Sequence, residues 1–196
     1  MNLFNIIDEI ESVDQEIHDR INPRRTALKQ FVNFSAKVGV AAMPFALGSL
    51  FNKAYAQAPS DVKGILNFAL TLEYLEAEFY TIGVATAGLI PSGPGLTALT
   101  TIRNHENQHV SFLKTALGTG AVAKPTFDFT AGGTFANVFS NYDTFLAVAQ
   151  VFEDTGVRAY KGQAGGLIGN KDILTAALNI HSLEARHAAH LRQMRR

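Results

Sequence analysis

Apolar residues recur at a spacing of three or four along four long stretches of the chain, with polar residues between them. That spacing is the period of one face of an α-helix, so each stretch is predicted to be an amphipathic helix. The predicted helices span residues 60–87, 94–118, 142–164 and about 171–196. Ser60 is a suitable N-cap for the first helix, and Gly88 and Pro91 follow its end.

The connections between the predicted helices are unequal in length. Short segments join the first helix to the second and the third to the fourth, whereas residues 119–141 form a long segment rich in Gly, Thr and Phe. The alternating run Phe127-Asp128-Phe129-Thr130 predicts a short extended hairpin within this segment. Two short connections on either side of one long crossover predict an all-α, up-down four-helix bundle over residues 59–196.

Residues 1–58 form a separate region that resembles an export signal. Apolar residues at helical spacing predict an amphipathic helix over residues 3–21, and the pair Arg24-Arg25 follows it. A weakly charged stretch over residues 31–51 then leads to Ala54-Tyr55-Ala56. Paired arginines, an apolar segment and a small-x-small end are typical of a twin-arginine signal, and they predict an exported, periplasmic protein.

Two departures from that signal leave a cytoplasmic alternative open. Ala27 stands where the motif often has Phe, and the region before the arginines is long and acidic. In the alternative, residues 1–58 form helices that pack on the bundle or on a partner subunit in the cytoplasm. The apolar stretch is interrupted by Pro44 and Gly48, so no stable transmembrane span is predicted.

The core-facing stripe of each helix in the bundle is apolar except near its middle, where it contains a glutamate. These glutamates are Glu73, Glu106, Glu153 and Glu184. Burying one ionised carboxylate without a partner costs several kcal/mol, and four facing carboxylates also repel one another. Proton sharing would neutralise some of them, whereas two divalent cations would neutralise all four.

Two histidines complete a metal-binding pattern that the chain repeats. Because residues i and i+3 lie on one helix face, a histidine three residues after a glutamate can bind the same metal. The pattern Glu-x6-Tyr followed by Glu-x2-His occurs as Glu73, Tyr80, Glu106, His109 and again as Glu153, Tyr160, Glu184, His187. Four glutamates and two histidines are the ligand set of di-iron and di-manganese bundles. The sequence therefore predicts two iron ions, with manganese as the alternative, bound by these glutamates and histidines.

These motifs resemble the ferritin-like superfamily, which includes bacterioferritin, rubrerythrin and manganese catalase. The residues that carry the resemblance are 66–80, with the sequence LNFALTLEYLEAEFY, and 105–113. In these segments the chain is more closely similar to the desiccation-related ferritin-like proteins of bacteria and plants. The resemblance covers about residues 60–196 and implies a ferritin-like bundle with a dinuclear carboxylate site.

The resemblance also implies a role for each ligand. Terminal glutamates are implied at Glu73 and Glu153, and bridging glutamates at Glu106 and Glu184, with one histidine on each metal. Rubrerythrin-like sites carry a further glutamate at the position of Gly156. The resemblance therefore implies the six-residue arrangement of bacterioferritin.

Other polar residues near the stripe have predicted roles outside the ligand set. Tyr80 and Tyr160 each lie two turns, roughly 10 Å, beyond the glutamate of their own helix. A hydroxyl at that offset can reach a ligand on a neighbouring helix, although plain core packing is the alternative. Glu76 and Glu78 are predicted to be solvated. If the phase of the first helix differs, Glu76 takes the place of Glu73 as the ligand. His105, like His181 and His190, is predicted at the surface or against a ligand from outside.

Composition narrows the partners and the chemistry. Lys+Arg and Asp+Glu both number 17, so the net charge is zero and no nucleic acid partner is expected. The chain has no cysteine, so any electron donor to the site is external. A carboxylate-rich dinuclear centre predicts redox chemistry with dioxygen or peroxide in stress protection. The alternative is a non-catalytic metal-binding or structural stress protein; the substrate and homo-oligomer formation are left open.

Overall fold

The computed structural model describes residues 61–196, and within them four long helices follow one another along the chain. They are α1 over Val62–Ala85, α2 over Pro94–Leu117, α3 over Tyr142–Gln163 and α4 over Lys171–Met194. Short 3-10 helices follow α2 at Gly118–Gly120 and α3 at Ala164–Leu167. The predicted all-α bundle is confirmed. The N-terminal helix, the export signal and Ser60 lie outside the described residues.

Polar side chains begin three of these helices. The carboxylate of Asp61 accepts a hydrogen bond from the N–H of Gly64 at 2.6 Å, so Asp61 is the N-cap of α1 in place of the predicted Ser60. Asn141 and Asn170 cap α3 and α4 in the same way. Each cap satisfies a backbone N–H that the first helical turn leaves without a partner.

Contacts at one end of the bundle establish the directions of the helices. A Cβ placed on Gly83, near the end of α1, would lie 2.2 Å from the ring of Phe145 at the start of α3. A Cβ on Gly95, at the start of α2, would lie 3.1 Å from the hydroxyl of Tyr142, which begins α3. Thus α2 and α3 start at the same end and run opposite to α1. The chain must return along the bundle between them, which explains the long crossover.

Asn67 of α1 determines the path of this crossover. Its Nδ2 donates to the carbonyl of Gly120 at 3.0 Å, and its Oδ1 accepts from the N–H of Val122 at 2.9 Å. The predicted extended hairpin is wrong, since none of the residues 61–196 is assigned to a strand. Within the run that suggested the hairpin, the Asp128 carboxylate instead accepts a hydrogen bond from the N–H of Thr130 at 2.9 Å, so this stretch forms a turn.

Aromatic side chains fill the core between the crossover and the helices. Phe79 is fully buried, and its ring stacks on Phe145 with the centroids 4.7 Å apart. Phe129 and Phe139 of the crossover each lie 5.4 Å from the same ring. This cluster attaches the crossover to the bundle next to the layer of glutamates.

Among residues 61–196, none of the helices combines the length and the apolar character that a membrane span requires.

Candidate metal centre

The four core-facing glutamates lie in one layer in the middle of the bundle, one from each helix. All four are completely buried, and the two predicted histidines beside them are at most 6% exposed. Their side chains form two overlapping groups whose candidate ligand atoms lie within 4.8 Å of one another. The groups are Glu73, Glu106, His109, Glu184 and Glu106, Glu153, Glu184, His187.

Glu106 lies between the two histidines and contacts each with a different oxygen. His109 Nδ1 lies 3.1 Å from Glu106 Oε2, and His187 Nδ1 lies 3.0 Å from Glu106 Oε1. Each histidine also contacts a glutamate that belongs to its own group alone: His109 lies 3.1 Å from Glu73, and His187 lies 3.1 Å from Glu153. Glu106 is thus a carboxylate that the two groups share, and each group also has a carboxylate of its own.

The two tyrosines of the repeat form reciprocal hydrogen bonds across the bundle. Tyr80 of α1 donates to Glu153 Oε1 of α3 at 2.6 Å, and Tyr160 of α3 donates to Glu73 Oε1 of α1 at 2.5 Å. The antiparallel course of α1 and α3 brings each hydroxyl opposite the glutamate of the other helix. Each tyrosine therefore holds the carboxylate that belongs to only one of the two groups.

Burial controls the protonation of the cluster without metal. Burial, followed by the charge of Glu153, raises the pKa of Glu106 to about 7. Burial raises the pKa of Glu184 well above its ordinary range, and the neighbouring carboxylates add to the effect. Burial lowers the pKa of both histidines, but hydrogen bonds to the glutamates outweigh it, giving about 10 for His109 and about 9 for His187. The metal-free cluster therefore holds protons where a metal centre holds cations.

The chemistry of these side chains is compatible with a bound metal ion. Neither carboxylate oxygen of Glu184 accepts a hydrogen bond within the described chain, although both are buried, and Oε1 has an ion-pair contact of 3.4 Å with His109 Nδ1. Buried carboxylate oxygens without partners are costly unless a cation binds them. Carboxylates with imidazoles are ligands that suit iron and manganese. Both the burial of these carboxylate oxygens and the types of side chain present are compatible with metal binding.

Glu76 is buried in this layer, and its prediction as a solvated charge is wrong. It is 2% exposed, and its Oε1 lies 3.4 Å from the place of a Cβ on Gly156. The cause is that α1 is buried on nearly all sides, with consecutive buried residues from Leu72 to Ala77. Glu78, by contrast, reaches the protein surface, where it pairs with Lys124. The sequence signal for Glu76 is its i+3 spacing from Glu73.

The other histidines among residues 61–196 lie outside the layer, and one of them contacts it. His105 is partly buried, and its Nδ1 lies 2.9 Å from His187 Nε2 with the two rings stacked. His181 Nδ1 lies 3.1 Å from the carbonyl oxygen of Val157, away from the glutamates. His190 is exposed and lines a surface groove of about 360 Å³ together with His105 and His187. Among the six predicted ligands, His187 is therefore next to this groove.

Comparison with known proteins identifies the bundle region. A family model described as a ferritin-like domain matches residues 60–196, which is most of the chain. The matched region contains all four helices and every residue of the buried layer. No curated protein and no solved structure matches the chain significantly.

Proposed function

The chain belongs to the ferritin-like domain family, and we propose that its buried layer binds two iron ions, or two manganese ions, that react with dioxygen or peroxide. The ligands in this proposal are the six predicted residues: Glu73, Glu106, His109, Glu153, Glu184 and His187. The role is protection against oxidative stress, with electrons supplied by an external donor.

The position of Glu106 is the observation that supports two ions rather than one. Its two oxygens lie at hydrogen-bonding distance from two different histidines, 3.1 Å from His109 and 3.0 Å from His187. Glu184 likewise belongs to both groups of candidate ligands. A single ion would need only one of these groups, whereas two ions sharing Glu106 and Glu184 use both. Glu106 and Glu184, the glutamates of the two Glu-x2-His motifs, would then be ligands common to both ions, which supports the ligand set of ferritin-like dinuclear proteins.

The protein's own residues prepare the site for this chemistry. Bound iron or manganese would supply the change of oxidation state that reduction of dioxygen or peroxide requires. Tyr80 and Tyr160 orient Glu153 and Glu73 by hydrogen bonds, which keeps each carboxylate directed into its group. Binding of a cation to His109 and His187 would displace the proton from the metal-facing nitrogen of each ring. Complete burial of the glutamates excludes bulk water, and His187 is a proposed ligand that lines a surface groove.

Anaerobic reconstitution with Fe²⁺, followed by elemental analysis and oxidant consumption, tests the proposal. We expect about two iron ions per chain and many cycles of dioxygen or peroxide consumption with an added electron donor. Glu106→Ala should abolish turnover, because it removes a ligand common to both ions. Glu78→Ala is the matched control, since it removes a glutamate of α1 that lies at the surface.

The outcomes separate three cases. Two bound ions with turnover in the wild type and none in Glu106→Ala support the enzyme. Two bound ions that react only once support metal sequestration, the non-catalytic alternative. Absence of bound metal after reconstitution with either Fe²⁺ or Mn²⁺ would refute the dinuclear centre itself. Circular dichroism of each variant shows whether a loss of turnover reflects unfolding.

A further inference from the structure

The two halves of the centre are related by a repeat that breaks at the residue three positions after the glutamate of α1 and of α3. On α1 this residue is Glu76, whereas on α3 it is Gly156. A Cβ on Gly156 would lie 2.6 Å from Glu184 Oε2 and 3.4 Å from Glu76 Oε1. The missing side chain on α3 therefore leaves the space into which the carboxylates of Glu76 and Glu184 extend.

Glu76 has the properties of a ligand rather than of a surface charge. It is 2% exposed, and its Oε2 has no hydrogen-bond partner within residues 61–196. Its Oε1 lies 3.4 Å from the place of a Cβ on Gly156, which is one turn after Glu153 on α3. The carboxylate of Glu76 is thus directed across the layer to the helix that carries Glu153.

The repeat breaks a second time beside the same histidine. The residue before Glu106 is His105, whereas the residue before Glu184 is Leu183. His105 Nδ1 lies 2.9 Å from His187 Nε2, so the outer nitrogen of His187 has a hydrogen-bond partner. The outer nitrogen of His109 is buried without one in the described chain. A partner at the outer nitrogen orients a metal-binding histidine and makes it a better ligand.

We infer that the two ion positions are unequal, and that Glu76 is a seventh ligand at the position held by Glu153 and His187. That position, supported also by His105, binds its ion more tightly and fills first. The inference rests on the proposed dinuclear centre and specifies how that centre loads.

Calorimetric titration of metal-free protein with Mn²⁺, which is stable in air, measures the inference without any assay of turnover. The wild type should bind two ions in two steps of different affinity. Glu76→Gln, which keeps the shape and removes the charge, should weaken the tighter step by about ten- to a hundredfold, the range for groups that support metal ligands. Glu78→Gln makes the same chemical change at the surface and should leave both steps unchanged.

Further variants assign the step to its position. His187→Ala should remove the tighter step and His109→Ala the weaker one. His105→Leu places the residue of the other half of the repeat beside His187, and it should bring the two affinities closer together. Glu76→Asp keeps the charge but withdraws the carboxylate by one methylene, so it should weaken the tighter step if Glu76 coordinates the ion.

The results test the inference about Glu76 separately from the proposed dinuclear centre on which it rests. Two equal steps in the wild type, or a tighter step unchanged in Glu76→Gln, would overturn the inference while leaving a dinuclear centre in place. Full affinity in Glu76→Asp would show that charge alone acts, which also overturns coordination by Glu76. Wild-type protein that binds no Mn²⁺ and no Fe²⁺ would instead remove the dinuclear centre. Melting curves of the metal-free variants confirm that each is folded.

Discussion

Metal-free protein should become more stable on mild acidification, from pH 7.5 to pH 5. Four glutamates, together with Glu76, lie in one buried layer, and without cations they take up protons as the pH falls. Glu106 has the clearest effect, because burial first and the charge of Glu153 second raise its pKa from 4.5 to about 7. A folded-state pKa above the unfolded value means that protonation favours the folded protein.

The size of the effect follows from the pKa of Glu106. At about 1.4 kcal/mol per pH unit, a rise from 4.5 to about 7 corresponds to about 3 kcal/mol. This stability is fully present below pH 4.5 and is lost as the pH rises through 7. The raised pKa values of His187 and His109 act in the same direction, since their contribution is present below pH 6.5 and is lost through about 9 and 10. For a domain of this size, about 3 kcal/mol corresponds to roughly 6–12 °C in Tm.

Differential scanning calorimetry of chelator-treated protein between pH 5 and pH 7.5 measures this change. Glu106→Gln should weaken the dependence, because it removes one of the titrating groups, whereas Glu78→Gln at the surface should preserve it. Metal-loaded protein should respond in the opposite sense, since protons compete with cations for the ligands. If the Tm of the metal-free wild type stayed constant or rose as the pH was raised from 5 to 7.5, the reasoning would be refuted, because such a result would mean that the glutamates are solvated.

Two further predictions concern packing and localisation. Gly83→Ala should destabilise the bundle, because the added Cβ would lie 2.2 Å from the fully buried ring of Phe145. The cost of overpacking, about 1–3 kcal/mol, exceeds the gain of about 1 kcal/mol in helix propensity. Urea denaturation measures the difference, and a stabilised variant would contradict the prediction. If residues 24–56 form an export signal, the mature protein should begin near Gln57, and replacing Arg24 and Arg25 with Lys should retain the protein in the cytoplasm. Fractionation with N-terminal sequencing checks this, and an intact N-terminus in the wild-type cytosolic fraction contradicts it.

The helices were predictable because their signals are local and repeated. Each has apolar residues at helical spacing over six turns or more, and Gly88, Gly118 and Gly165 lie just beyond the ends of the first three. The convergence of the four glutamates also follows from local spacing, since each lies near the middle of a stripe that must face the core. The four glutamates then come together in space if the four helices pack side by side with their middles at the same level.

The crossover was less predictable because its conformation depends on a distant side chain. Phe127 and Phe129 alternate with polar residues as in a strand, and the alternation alone favours a hairpin. Asp128 instead accepts a hydrogen bond from the N–H of Thr130, and Phe129 packs on Phe79 of α1, fifty residues away in sequence. Which helix residue an aromatic side chain of a loop packs against cannot be read from the sequence, so this contact appears only once the fold is known.

The burial of Glu76 could have been predicted if the i+3 spacing rule had been applied to α1 and α3 as well as to α2 and α4. The i+3 relation that pairs Glu106 with His109 and Glu184 with His187 applies equally to α1 and α3, where it selects Glu76 and Gly156. The four i+3 positions of the layer are therefore occupied by two histidines, one glutamate and one glycine. Because Gly156 has no side chain, the space that symmetry would give to two carboxylates is available to Glu76 and Glu184. The spacing rule thus places Glu76 in the layer, while the asymmetry with Gly156 makes the two halves of the centre chemically different.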